Sequence, residues 1–257
     1  MWRLRSLCSP IASDGTRQLH YYDPGPSGFK GGTFGDGVSE NVTQAYEWLI
    51  DNYEDGDDIF IFGFSRGAFT ARSLAGFISK YGLLQPGAPL SVPQMYKRYQ
   101  AAEEKTIWKL NSEVKQGACD EHSDLERWMV KYARCIKIKM VGVWDTVGAL
   151  GIPKFNIPGI SRSSFDWHHT GLRVPIEHGF HAMAIDEHRP PFEATLWTIR
   201  DGIAAKPRPL DSVEQRWFVG AHANVGGGYT NDLLGQPSLQ WLADKAKGLG
   251  LELRFDI

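Results

Sequence analysis

Cysteine is scarce in this chain. Cys8, Cys119 and Cys135 are the only three among 257 residues, too few and too scattered for a disulfide framework or a thiolate metal site, so they read as free thiols, with Cys135 in a strand. Long runs of one charge are also missing. The formal net charge is -2, with Lys and Arg interspersed among Asp and Glu, which leaves no electrostatic footprint for nucleic acid. No apolar run reaches the length of a signal peptide or a membrane span, and the opening segment from Met1 to Cys8 carries charge but no hydrophobic core. The expectation is a soluble chain, cytoplasmic by default, with signal-independent secretion left open. Internal repeats are absent too. Aromatic residues, by contrast, are plentiful. Nine tryptophans and 12% aromatic content are more than many small cores need, so part of that surface is read as lining a pocket or making transient contact with a membrane surface.

The length suits one α/β domain spanning residues 1–257. Arg17 to Tyr22 alternates and breaks at Asp23-Pro24-Gly25-Pro26, which predicts a strand ending in a glycine-rich loop. Val38, Val42, Ala45, Tyr46, Leu49 and Ile50 recur at helical spacing and lead into the apolar run Asp58 to Phe62. Strand, helix, strand, helix in succession favours a parallel sheet with crossover helices. From about 85 to 134 the chain becomes polar and proline-bearing, and it is read as an insertion of surface helices over the sheet, a lid, with its charges on a solvated face. Ile136 to Trp144 reads as a buried strand, 149–174 as a loop, Glu177 to His188 as a helix, Glu214 to Val219 as the last strand and Leu239 to Lys247 as an amphipathic helix.

Directly behind the run at 58–62 stands Gly63-Phe64-Ser65-Arg66-Gly67, followed by Ala68, Phe69, Ala71, Leu74, Ala75, Phe77 and Ile78 at helical spacing. A serine at a strand-to-helix corner has the geometry of a nucleophile elbow. A hydroxyl becomes a useful nucleophile only when a base takes its proton and amides face the developing oxyanion. The bland alternative is a tight glycine turn.

Ser65, Asp145 and His222 follow the chain order nucleophile, acid, base, and each lies after a predicted strand, where parallel strands converge at one sheet edge. Of the eight histidines, His222 alone follows a strong apolar strand and is embedded in glycines; the other reading is a loop histidine capping Gly226-Gly227-Gly228. Asp145 is either the partner of that imidazole or a strand-end aspartate accepting amides of Thr146 and Val147, and Asp186 is the alternative acid, with a capping role or a bridge to Arg189 as its other reading. The Arg66 amide is the first oxyanion donor by position, and the loop at Asp23-Pro24-Gly25 is the candidate source of a second, through Gly25. Glu177, His178 and His181 suggest a metal only if a second cluster joins them, and none stands at ligand spacing, so neither metal nor cofactor is expected. The triple glycine has no following Lys-Ser/Thr, which argues against nucleotide binding.

Taken together, Tyr21 to Gly25, Phe34 to Gly37, Gly63 to Arg72, Val143 to Gly148, Ala184 to Arg189, and Gly220 through Tyr229 resemble the α/β-hydrolase domain family labelled DUF2235, which includes type VI secretion phospholipase effectors of the Tle1 kind and fungal relatives. The resemblance implies an α/β-hydrolase-like, mostly parallel sheet with helices on both faces. It also implies a serine esterase or phospholipase-like activity on lipid esters, with Ser65 as nucleophile, His222 as base and Asp145 as acid. Three departures stand out. Members usually begin with a strand ending in Asp-Gly-Thr-Trp, which this chain is expected to lack, since Asp14-Gly15-Thr16 has no apolar strand before it. Members often carry Asp two residues after the histidine, where Asn224 stands here, and many continue beyond the position of Ile257. A missing strand would expose a sheet edge and remove an oxyanion donor worth about 3 kcal/mol, so a catalytically weakened binding module is the alternative reading. Oligomeric state has no signature in the sequence.

Overall fold

The computed structural model describes residues 1–25, 34–101, 105–118, 122–147, 175–197, 208–229 and 232–254. The short helix α1 (Trp2–Leu7) and the long helix α2 (Phe34–Asn52) precede β1 (Phe60–Phe64), which passes through Ser65 into α3 (Arg66–Tyr81). The chain then makes a small antiparallel ribbon of β2 (Leu83–Leu84) and β3 (Ala133–Arg134), enclosing α4 (Val92–Gln100), α5 (Ile107–Lys115) and α6 (Asp124–Tyr132). The strands β4 (Ile138–Trp144), β5 (Ile176–Ala184) and β6 (Val213–Phe218) follow, then the one-turn helix α7 (His222–Gly226) and α8 (Gln236–Gly248).

The main sheet has the order β1-β4-β5-β6, all parallel. Its register aligns Phe64 with Trp144, Trp144 with Ala182, and Ala184 with Phe218, so the residues that follow β1 and β4 emerge at one level. Both faces are covered, as a parallel sheet requires. On one side Ile61, Val141 and Val143 pack with Ala68, Ala71, Ala75 and Phe77 of α3 and with Val42 and Tyr46 of α2. On the other, Met140, Trp144 and Phe180 pack with Trp241, Leu242 and Ala246 of α8 and with Leu4 of α1. The mostly parallel α/β sheet with helices on both faces is therefore present, and among the described residues β1 has a strand neighbour on one side only.

Four expectations need correction. Residues 177–188 begin as strand rather than helix. β5 runs between two strands, and Gly179 to Ala184 are buried on both faces, so its side chains do not alternate and the stretch lacks the period-2 signal. Arg17 to Tyr22 form no strand; Arg17 makes an isolated bridge with Ile11, and no ladder extends from it. The helices between 85 and 134 are not an exposed cover. Val92, Met95, Tyr96, Tyr99, Ile107, Leu110 and Met129 join the core on the α2 and α3 side, and Glu126, expected on a solvated face, completes a capping box with Ser123 and takes a 2.9 Å bond from Arg98. Cys135 lies just beyond β3, exposed, with its sulfur accepting from Asn111. The loop expected over 149–174 lies outside the described residues.

Candidate active site

The corner at Ser65 is compressed. A Cβ on Gly63 would lie 2.3 Å from the carbonyl oxygen of Gly67 and 2.6 Å from the Ala68 Cα, so only glycine lets α3 fold back this closely on β1. Ser65 itself adopts φ 58° and ψ -121°, a conformation that costs a non-glycine residue roughly 1–3 kcal/mol and is held by its surroundings. Its amide donates to the Trp144 carbonyl at 3.1 Å, tying the end of β1 to the end of β4. Asp145, directly after β4, has φ 36°. Among the described residues Ser65 and Asp145 are the only non-glycines in the left-handed region.

His222 joins them. Its Nδ1 lies 2.6 Å from Asp145 Oδ2 and its Nε2 lies 2.7 Å from Ser65 Oγ. A carboxylate can only accept, so Nδ1 carries the hydrogen and Nε2 is left to accept from the serine hydroxyl. The second oxygen of Asp145 accepts the Ala184 amide at 3.0 Å, which leaves the fully buried carboxylate with a donor on each oxygen. Both roles weighed for Asp145 are thus present in one side chain, although the amide is that of Ala184 rather than of Thr146 or Val147. Two rings lie against the imidazole, Phe64 at 4.7 Å and Phe192 at 4.9 Å between centroids.

The glycines around His222 set its position. Gly220 has φ 113°, and a Cβ on Gly226 would lie 1.9 Å from the Phe64 ring. Asn224 Oδ1 accepts the Ala221 amide at 3.0 Å at the start of α7. That role needs only a carbonyl oxygen, which Asn supplies as well as Asp would.

Asp186 does not approach the imidazole. It exchanges two bonds with Gly220, its Oδ2 accepting the Gly220 amide at 2.7 Å and its own amide donating to the Gly220 carbonyl at 3.2 Å. Arg189 pairs with Glu187 rather than Asp186. Arg66, directly after Ser65, is the first residue of α3, where helix amides have no intrahelical acceptor. The Gly25 amide is committed elsewhere: it donates to Asp23 Oδ1 at 2.6 Å in a local turn, which removes it as the second donor.

The suspected metal ligands diverge. With β5 a strand, His178 and His181 are an odd number of residues apart and point to opposite faces. His178 Nδ1 meets the Lys139 carbonyl at 3.0 Å. His181 is fully buried, accepts the Thr146 amide on Nε2 at 3.1 Å, and has Nδ1 3.4 Å from Gln215 Oε1. Burial, reinforced by the nearby Arg72 charge, pushes its pKa down to about 3. The unfolded chain takes up a proton on this residue below about 6.5, while the folded chain does not, so stability falls as pH drops through that window. Between pH 7.5 and 5.0 His181 is expected to cost about 2 kcal/mol. Urea unfolding at both pH values should show a smaller drop in His181→Gln than in the wild type, by about that amount, and equal drops would contradict the assignment.

A cavity of about 450 Å³ is lined by chain neighbours of Ser65, Asp145 and His222 rather than by those residues themselves, among them Phe64, Trp144, Val225, Gly226, Tyr229 and Leu239. Three of its walls are thus the residue before Ser65, the residue before Asp145 and the turn after His222. Asp232 also lines it and is paired with Arg3 at 3.4 Å. No helix among the described residues is long and apolar enough to cross a membrane.

Residues 1–245 match the family described as "T6SS, Phospholipase effector Tle1-like, catalytic domain". Uncharacterized protein YEL023C of Saccharomyces cerevisiae is 31% identical over 165 residues, which are 63% of this chain and 22% of the yeast protein. Among solved structures, an uncharacterized protein from Pseudomonas aeruginosa is similar at 18% identity and a TM-score of 0.46, covering 85% of this chain and 27% of that one. The Tle1 effector bound to the VgrG spike from the Type 6 secretion system is similar at 20% identity and a TM-score of 0.32, over 77% of this chain and 31% of that one. The chain spans less than a third of the length of each of these three proteins.

Proposed function

The chain belongs to the Tle1-like catalytic-domain family of type VI secretion phospholipase effectors, and on that premise we propose that it is a serine hydrolase cleaving the acyl esters of lipids through an acyl-serine intermediate. The observation that carries this reading is the unbroken line from Asp145 Oδ2 through both ring nitrogens of His222 to Ser65 Oγ, with both links at hydrogen-bonding distance.

In this reading Ser65 Oγ attacks the ester carbonyl while His222 Nε2 takes its proton. Asp145 holds the Nδ1–H tautomer and stabilises the imidazolium that forms. The carbonyl oxygen becomes an oxyanion facing the Arg66 amide at the start of α3. Collapse of the tetrahedral intermediate expels the alcohol, which receives the proton from Nε2, and leaves the acyl group on Ser65. Water then repeats the sequence, giving its proton to His222 as it attacks, and the released Oγ takes that proton back. The chemistry consumes one water per ester and needs no metal or cofactor at any step.

The substrate class rests on the family and on the surface beside the site. The cavity behind Phe64 and Trp144 is mostly apolar and of a size that suits an acyl chain. Trp2 and Tyr229 line it and are also exposed, at 64% and 53%, with exposed Leu233 and Leu234 nearby in the chain. Aromatic and leucine side chains presented this way suit transient contact with a lipid surface.

Product analysis separates the bond types. Phosphatidylcholine vesicles incubated with the protein are expected to yield free fatty acid and lysophosphatidylcholine. Phosphatidic acid or diacylglycerol as the product would mean attack at phosphorus and would overturn the acyl-serine reading.

A further inference from the structure

The stretch Ala184 to Phe192 contains none of the three residues aligned above, yet it touches two of them and the turn between β6 and α7. The Ala184 amide holds Asp145 Oδ1. Asp186 exchanges two backbone-anchored bonds with Gly220, two residues before His222. Glu187 Oε2 accepts the His222 amide at 3.2 Å. Phe192 closes the stretch with its ring against the imidazole, 4.9 Å between centroids.

Glu187 is the pivot. Its side chain is only 4% exposed, and an uncompensated carboxylate would not stay there. Arg189 supplies the compensation: its amide and Nε both donate to Oε1 at 2.9 Å, and Nη2 donates to Oε2 at 2.6 Å. The same guanidinium lies 3.9 Å over the Phe192 ring. Paired and bonded in this way, the Glu187 carboxyl is held down to about 2, chiefly by the Arg189 side chain, and so remains an anion. One ion pair therefore fixes two contacts with His222, one to its backbone and one to its ring.

We propose that Glu187, locked by Arg189, is a positioning residue that seats His222 between Asp145 and Ser65, with Asp186 pinning the preceding turn. The proposal rests on the serine-hydrolase reading for its kinetic consequences only. His222 stands at the first position of a five-residue helix entered through Gly220 at φ 113°, a segment too short to hold a side chain in place by itself. Acylation is sensitive to displacements of about 1 Å, which can cost about 100-fold.

The test compares Glu187→Ala, Glu187→Gln and Glu187→Asp. Gln keeps one acceptor oxygen, which can take the His222 amide but then turns its NH2 toward the Arg189 donors, whereas Ala lacks an acceptor and Asp is a methylene too short to reach the amide. With a soluble p-nitrophenyl ester, Glu187→Ala and Glu187→Asp should lower kcat by about 10- to 100-fold with KM unchanged within about twofold, and Glu187→Gln, which keeps the acceptor but not the Arg189 ion pair, should recover part of the loss. A second readout does not depend on turnover. The 2.6 Å bond between His222 Nδ1–H and Asp145 should give a far-downfield proton resonance in the wild type, kept in Glu187→Gln and broadened or lost in Glu187→Ala. Wild-type kcat and an intact resonance in Glu187→Ala would overturn the proposal, as would equal losses in the Ala and Gln variants. Where Glu187→Ala does not fold, the contrast between Gln and Asp carries the same test. Ester hydrolysis that persists in Ser65→Ala would defeat the hydrolase reading instead, and the resonance would still decide the role of Glu187.

Discussion

Ser65→Ala is expected to lower kcat for ester hydrolysis by about five to six orders of magnitude, and adding His222→Ala to it should change little more. The reason for the non-additivity lies in the line of contacts. Without Oγ there is no nucleophile for Nε2 to activate, and without Nε2 the hydroxyl keeps its proton, so either loss disables the same step. Asp145→Asn should cost about four orders of magnitude, because the amide can donate to Nδ1 and thereby favours the tautomer with its hydrogen on Nε2, where it can no longer accept from Ser65. KM should move far less than kcat in all three variants. Comparable thermal unfolding of Ser65→Ala and the wild type would show that chemistry rather than folding was removed, since Ala keeps the Cβ and the backbone bond from residue 65 to Trp144. A Ser65→Ala variant within tenfold of the wild type would contradict the nucleophile assignment.

The second large effect concerns the fold beneath the serine. Gly63→Ala should destabilise by more than about 3 kcal/mol, or fail to give soluble protein, because the new methyl meets backbone atoms of Gly67 and Ala68 at 2.3–2.6 Å and backbone cannot rotate out of the way. Gly67→Ala provides the contrast. A Cβ there meets nothing within 4 Å and lies on a helix, where replacing glycine gains about 0.5–1 kcal/mol. The two glycines that flank Ser65 in the same pentapeptide are therefore expected to respond in opposite directions. Thermal or urea unfolding of the two variants measures this, and similar losses in both would mean that the corner is not packed as described.

Much of the site can be read from local pattern because its parts lie where local pattern is strong. The run into β1, the glycine-serine corner and the small residues of α3 announce themselves, and the ends of β4 and β6 mark where Asp145 and the turn before His222 must lie. What local pattern cannot carry is pairing. β5 reads as a helix because its side chains are buried on both faces and its Gly, His, Ala and Met are weak strand formers; only its place between β4 and β6 makes it a strand. Arg17 to Tyr22 alternate as a strand should, but alternation supplies no partner, and the structure pairs only Arg17, with Ile11. The helices from 85 to 134 look polar because their apolar residues are spread over three short segments, which bury four, two and one apolar side chains in the core. Glu187 was hidden for a different reason. Its signal is a charged residue beside an arginine two positions on, which usually marks an exposed pair of little consequence. Only the third dimension brings the His222 amide to its second oxygen. The Gly25 amide failed as an oxyanion donor for an equally local cause, since an aspartate two residues before it captured the hydrogen first.

The most direct measurement is the site of covalent capture by a fluorophosphonate, which reacts with a serine only when a base has activated it. Incubated with the folded protein and mapped by peptide mass spectrometry, the reagent should be found on Ser65, and labelling should disappear in both Ser65→Ala and His222→Ala. An unlabelled folded protein, or an adduct that remains when Ser65 or His222 is replaced, would contradict the account.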